Sequence, residues 1–186
     1  MAMSIILASA SPRRAELLRA AGLEFIIAPV DVDERQLPDE TPDAYVARVA
    51  ALKAGAALAR QPDRTILAAD TAVVLDGDVF GKPVDAADAA RMLRRLSGRS
   101  HRVLTAVVVA AGGRRVSFVD ATTVWMTPLG EDVIAWYVAS GEPLDKAGAY
   151  AVQGLASRFV TRIDGSYATV VGLPVARVVS ALDELA

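Results

Sequence analysis

Apolar and polar positions along the chain group into runs that predict alternating strands and helices. Ile5 to Ala8 is a short β-type run. Ser11-Pro12 then predicts a helix start, with serine as N-cap and proline in the first turn. Leu17, Leu18 and Ala21 give that helix a buried face, and Gly22 ends it. Phe25 to Val30 reads as a second strand, and Asp31 to Pro42 as an acidic, proline-bearing loop. From about Asp43 to Arg60, Tyr45, Val49, Leu52, Ala56 and Ala59 are spaced for one face of a long helix. Ile66 to Leu75 is a β run interrupted by a single carboxylate, Asp70, and Asp76-Gly77-Asp78 is a turn signal.

Asp85 caps a further helix that runs to Leu96 and closes at Gly98. Arg102 to Ala111 and Arg114 to Met126 are β runs joined by Gly112-Gly113, a hairpin signal. Glu131 to Ala139 is helical, with Gly141 as its stop. Residues 142 to 173 are rich in glycine and tyrosine and read as irregular, and Pro174 opens a final helix through Leu185. This alternation, with at least one hairpin, predicts an α/β fold on a mixed sheet rather than a purely parallel one.

Composition narrows the picture. A length of 186 residues suits one domain or two small lobes, and 53% hydrophobic residues are ample for a core. A net charge of −2 supplies no basic field for nucleic acid. The absence of cysteine excludes a disulfide scaffold, a thiolate zinc site and a cysteine nucleophile, and suits a cytoplasmic protein. The apolar stretch Met1 to Ala10 lacks a basic n-region and is not expected to be a signal peptide. No apolar run reaches the roughly 18 residues of a membrane span. The longest, Val103 to Ala111, reads as a buried strand, so no membrane partner is expected.

Several residues could carry chemistry. Ser9-Ala10-Ser11-Pro12-Arg13-Arg14 lies where a strand turns into a helix. Backbone donors, the positive end of the helix dipole, two hydroxyls and two guanidiniums there would suit a phosphate chain. The alternative is an ordinary N-cap followed by solvated arginines. Asp70 is costly inside an apolar strand unless it is paired or binds a metal. It either serves a cleft, holding Mg²⁺ or orienting water, or bonds a backbone turn. The chain has only three lysines, Lys53, Lys82 and Lys146. Lys53 on the long helix and Lys82 in Gly81-Lys82-Pro83 read either as point charges for a phosphate or as snorkelling side chains. Glu34 is a second metal carboxylate or an exposed loop acid. Gln153, read as a buried amide, bonds a nucleobase edge or a turn. His101, the only histidine, reads as structural.

Taken in order, these segments resemble the Maf family of nucleotide pyrophosphatases over nearly the whole chain. The resemblance rests on Leu7-Ala8-Ser9-Ala10-Ser11-Pro12-Arg13-Arg14, Ala69-Asp70-Thr71, Gly81-Lys82-Pro83 and Leu96-Ser97-Gly98-Arg99-Ser100-His101. It continues through Asp145-Lys146-Ala147-Gly148-Ala149-Tyr150-Ala151-Val152-Gln153-Gly154, then Gly165-Ser166-Tyr167 to Gly172-Leu173-Pro174.

The resemblance implies a single domain over 1–186 of the Maf/ITPase-like α/β kind. Its mixed twisted sheet is flanked by helices, with two lobes around a central cleft, and the chain is expected to dimerise. It implies hydrolysis of a nucleoside triphosphate between the α- and β-phosphates with Mg²⁺, Mn²⁺ or a similar ion. Asp70 matches the proposed proton acceptor. Arg13, Thr71 and Gln153 match positions linked to substrate choice, and Ser9, Glu34, Lys53 and Lys82 match positions lining the site. Asp70 and Glu34 are the metal candidates, and Ser11 and Arg14 join the substrate-binding set. The Gln-Gly pair and the Lys-Ala-Gly-Ala-Tyr run look like the branch acting on dTTP and UTP. Two other readings stand beside this one: a nucleotide-binding regulator of cell division, and a pyrophosphatase for modified purine triphosphates.

Overall fold

The structure is a computed structural model that describes residues 5–186, so Met1 to Ser4 of the apolar N-terminus lie outside the described residues. Its strands are β1 (Ile5–Leu7), β2 (Phe25–Ile27), β3 (Thr65–Leu75), β4 (Asp78–Phe80), β5 (Ser100–Ala111), β6 (Arg114–Met126) and β7 (Val160–Asp164). Its helices are α1 (Pro12–Ala20), α2 (Pro42–Arg60), α3 (Ala86–Leu96), α4 (Glu131–Ala139), α5 (Tyr167–Val171) and α6 (Val175–Leu185). The strands form one seven-stranded sheet in the order β2-β1-β3-β5-β6-β7, with β4 paired to β3. β1 runs parallel to β2 and β3, while β3–β4 and β6–β7 are antiparallel. The sheet is therefore mixed, as the element pattern predicts. Gly112 and Gly113, at φ 56° and 79°, make the β5–β6 turn in the left-handed region that a two-residue hairpin requires.

The chain divides into two compact units. The first comprises the described residues up to Asp70, Thr105–Asp120 and Gly172–Ala186. Its core holds Ile5, Leu7, Leu18, Leu67, Val107, Val109, Leu173, Val178 and Leu182. The second comprises Thr71–Leu104 and Ala121–Val171. Its core gathers Phe80, Leu93, Leu96, Val103, Val124, Ile134, Tyr137 and Phe159.

The start of α3 follows its sequence signal. Asp85 Oδ1 accepts the Asp88 N–H at 2.7 Å, and Thr41 Oγ1 accepts the Ala44 N–H at 3.3 Å. Four expectations change. On α1 the buried residues are Arg14, Ala15 and Leu18, while Ala21 is exposed. β2 stops at Ile27 rather than Val30. The segment read as irregular contains β7 and α5 as well as 3-10 turns at Glu142–Asp145, Ala147–Ala149 and Leu155–Phe159. On α2, the buried face is Val46, Val49, Ala50, Lys53, Ala54 and Ala57, whereas Leu52 is 43% exposed. The real stripe also has helical spacing, but it contains a lysine, which placed the predicted face out of phase.

Candidate active site

The first unit assembles three of the predicted residues around one ammonium group. Lys53 points inward from α2, and its Nζ donates to Asp70 Oδ1 at 2.8 Å. The same Nζ lies 2.9 Å from Glu34 Oε1. Asp70 is 5% exposed, at the point on β3 where the first unit ends, and Lys53 is 9% exposed. Asp70 Oδ2 is buried with no hydrogen-bond partner among the described residues. A buried carboxylate oxygen left unpartnered costs folding free energy. The arrangement thus has one oxygen oriented by Lys53 and one available to a proton or a cation.

Glu34 is the exposed member of the trio, and its loop is pinned from α2. Arg48 donates to Glu40 through Nε at 2.6 Å and Nη2 at 2.8 Å, and to the Arg35 carbonyl at 2.9 Å. Asp33 grips Arg35 in a bidentate pair. Arg48 has no motif to mark it, and only the loop's path reveals its role. Tyr45, assigned to the core face from spacing, is instead half-buried. Burial first, then the fields of Asp70 and Glu34, together raise its phenol to about 12.

At the turn into α1, Ser9 Oγ accepts the Ser11 N–H at 3.2 Å and Arg14 Nη1 at 3.0 Å. A hydroxyl oxygen has two lone pairs, so its proton is left to donate. Ser11 is the N-cap of α1 by position, but its side chain makes no capping bond. Arg14 is buried and also donates through Nε to the Gly172 carbonyl at 2.9 Å. Desolvation lowers its pKa, Asp70 raises it, Arg13 lowers it and Glu34 raises it. Arg14 thus braces the serine corner. Arg13 beside it is partly exposed.

In the second unit, Thr71 is partly exposed on β3, and Lys82 is exposed after β4. The Gly81 carbonyl accepts the Gly148 N–H at 3.0 Å, tying the Lys82 loop to the 147–149 turn. Gly148 has φ +69°, and a Cβ there would meet Val73 Cγ2 at 2.7 Å, so the turn requires glycine. Gln153 is exposed rather than buried, which leaves its amide at the surface instead of in a core turn.

A profile of the Maf-like protein family matches residues 4–185. The chain belongs to the Maf family. A relative from Anaeromyxobacter dehalogenans is 54% identical over 186 residues, covering 98% of this chain and 94% of its own. One from Symbiobacterium thermophilum is 48% identical over 180 residues, covering 97% and 93%. Both are named dTTP/UTP pyrophosphatase. Among solved structures, the Ham1 protein of Staphylococcus aureus aligns with a TM-score of 0.56 at 14% identity, covering 97% of this chain and 98% of that one. A HAM1 protein from Coxiella burnetii also gives 0.56, at 18% identity, covering 98% and 99%. Those two likenesses concern the fold.

The donors in this Maf-family chain fit a hard divalent cation. Asp70 offers an orphaned carboxylate oxygen, and Glu34 is a second carboxylate on the same ammonium. Among the described residues no group of three or more His, Cys, Asp and Glu could hold a metal. A protein contribution of one or two carboxylates is the usual one for Mg²⁺ bound together with substrate phosphates and water. No helix among the described residues is long and apolar enough to cross a membrane.

Proposed function

We propose that this Maf-family protein is a dTTP/UTP pyrophosphatase that releases the nucleoside monophosphate and pyrophosphate. The observation that carries the chemistry is Asp70: a buried carboxylate oriented through one oxygen by Lys53, with its other oxygen unpartnered. A fold needs no such group, and a site that only held a polyanion would gain nothing from a carboxylate. The relatives' shared name supports the nucleotides.

In this reading water attacks the α-phosphorus. The new P–O bond forms as the bond to the α,β-bridging oxygen breaks, and the water proton passes to Asp70 Oδ2. Lys53 holds Asp70 in orientation. The Ser9 hydroxyl, with both lone pairs occupied, donates to a phosphate oxygen. Arg13 and Lys82 supply positive charge to the triphosphate, and Ser11 and Arg14 shape the corner that receives it. Asp70 and Glu34 would hold Mg²⁺ or Mn²⁺, which supplies charge neutralisation on the phosphates when bound. We take residues 1–186 as one catalytic domain, acting in the cytoplasm as a homodimer.

Gln153 reads the base. Uracil and thymine present an N3–H donor beside a carbonyl acceptor, which an amide matches twice. Such a pair discriminates by about 1–3 kcal/mol. Cytosine offers the mirrored pattern, so rejecting CTP requires an amide that cannot flip, locked by Thr71 or by backbone of the 148–154 loop. The test is a panel of dTTP, UTP, CTP, ATP and GTP with Mg²⁺, with and without chelator, products separated by chromatography. Monophosphate plus pyrophosphate from dTTP and UTP, lost on chelation, is expected, and Gln153→Ala should narrow the margin over CTP. Diphosphate plus phosphate, or no turnover, counts against hydrolysis at the α-phosphorus. A leading purine counts against the base reading alone.

A further inference from the structure

Gln153 is exposed and lies between two 3-10 turns, yet a base-reading amide needs a backbone that does not wander. The structure holds this segment on both sides of Gln153 from a single point. Tyr137, fully buried on α4, accepts the Ala151 N–H at 3.2 Å through its hydroxyl. The hydroxyl donates to Glu142 Oε1 at 2.8 Å. The Glu142 carboxylate then accepts the Leu155 N–H through Oε2 at 2.9 Å and the Ala156 N–H through Oε1 at 3.3 Å. Two residues before Gln153 and two and three residues after it, the main chain is thus bonded to one Tyr–Glu pair.

Two further features fit this arrangement. A Cβ on Gly154 would fall 2.3 Å from Glu142 Oε2, so the carboxylate sits directly against the residue that follows Gln153. The pair is itself held: Gly141, at φ 77°, turns the chain back after α4, and Lys146 Nζ donates to the Glu142 carbonyl at 2.7 Å. The Tyr137 ring packs edge-on against Phe159 at 5.4 Å, where the second turn ends. An ionised carboxylate only accepts, so the Tyr137 proton must point at Glu142 and its lone pair at Ala151. The network therefore has a single direction.

We propose that Glu142 and Tyr137 are positioning residues that set nucleobase selectivity by fixing the main chain around Gln153. The proposal rests on the reading that Gln153 recognises the base. Neither residue touches substrate. Loosening the segment frees the amide to adopt the flipped pairing that suits cytosine, so discrimination falls before turnover does.

The experiment measures kcat and KM for dTTP and CTP in the parent, Gln153→Ala, Glu142→Ala, Glu142→Gln and Tyr137→Phe, with melting temperatures for each. Tyr137→Phe keeps the ring against Phe159 and removes only the hydroxyl, so it serves if Glu142→Ala fails to fold. Expected is a roughly 5- to 10-fold fall in the dTTP:CTP ratio of kcat/KM in Glu142→Ala and Tyr137→Phe, within the range of one lost bidentate pair. The change should lie mainly in KM, falling for CTP and rising for dTTP, with part of the ratio restored in Glu142→Gln, which keeps one carbonyl acceptor. An unchanged ratio in Glu142→Ala and Tyr137→Phe, while Gln153→Ala changes it, overturns the positioning role and leaves base reading intact. Equal loss for both nucleotides in proportion to lost melting temperature also overturns it. An unchanged ratio in Gln153→Ala removes base reading and this proposal together.

Discussion

Replacing Lys53 with methionine separates the stability of the Asp70 site from its chemistry. Methionine keeps most of the apolar stem, so little cavity forms. What disappears is the charge between Asp70 Oδ1 at 2.8 Å and Glu34 Oε1 at 2.9 Å. The two ends differ in weight. The Glu34 side chain is 52% exposed, so solvent screens that contact and its loss costs under about 1 kcal/mol. The Asp70 side chain is 7% exposed and already has one oxygen without a hydrogen bond, so Lys53→Met leaves a buried carboxylate without its hydrogen-bonded ammonium. Losing one member of a buried pair costs about 3–5 kcal/mol. For a chain of this size that corresponds to a melting temperature lower by roughly 6–20 °C. Asp70→Asn keeps the shape, leaves Lys53 an amide oxygen and Glu34, and removes a buried carboxylate, so it should lose less stability than Lys53→Met. Turnover should nonetheless fall at least roughly 100-fold. In Lys53→Met/Asp70→Asn neither member of the pair is charged, and most of the lost melting temperature should return. Thermal melts of all four proteins near neutral pH with chelator, beside turnover of dTTP with Mg²⁺, measure both quantities. If Lys53→Met melts within about 2 °C of the parent, the desolvated pair does not exist in solution and the argument fails.

Lys82→Ala should lower kcat/KM for every nucleotide by a similar factor, because a phosphate contact does not report the base; an effect confined to one base would move Lys82 to base reading. His101 gives a pH signature. Burial lowers its pKa from 6.5 to about 4. Between those values the unfolded chain binds a proton that the folded chain excludes, so stability should fall as pH drops through that window, by about 1.4 kcal/mol per pH unit. Denaturant titrations should show a steeper fall in the parent than in His101→Asn, which keeps the contribution of paired carboxylates such as Glu40 and Glu131; equal slopes would refute it.

Much of the fold was legible because strong local signals coincide with tertiary demand. Pro12 after Ser11, Asp85 before α3, and the Gly112-Gly113 turn each lie where the backbone needs that residue. The segment from 142 to 173 was not legible, for a physical reason. β7 has exposed residues at three of its five positions, and the 3-10 turns carry no apolar period. Their order comes from side chains elsewhere, Tyr137 and Glu142 above all, and no local pattern records it. Gln153 reads in sequence as a buried amide bonded to a nucleobase edge or a turn, but here Glu142 and Tyr137 bond the turn and Gln153 is exposed.

The site shows the same division between local and long-range information. Asp70 stands out in sequence because its neighbours on β3 are apolar, and burial accounts for that contrast. Glu34 does not stand out among Asp31, Asp33, Asp39 and Glu40; only the reach of Lys53 distinguishes it. Arg13 and Arg14 are adjacent and chemically identical, yet Arg14 is buried against Ser9 and Gly172 while Arg13 is partly exposed. Lys53 is the most instructive case. A reading that keeps charge off the buried face of α2 selects the stripe through Leu52, one position out of phase. The stripe that folding uses runs through Lys53, because Asp70 and Glu34 compensate the buried ammonium. A lysine whose helical phase matches Val46, Val49, Ala50 and Ala57 is therefore evidence for a carboxylate facing that helix, and here the facing carboxylate is the one that keeps an oxygen for chemistry.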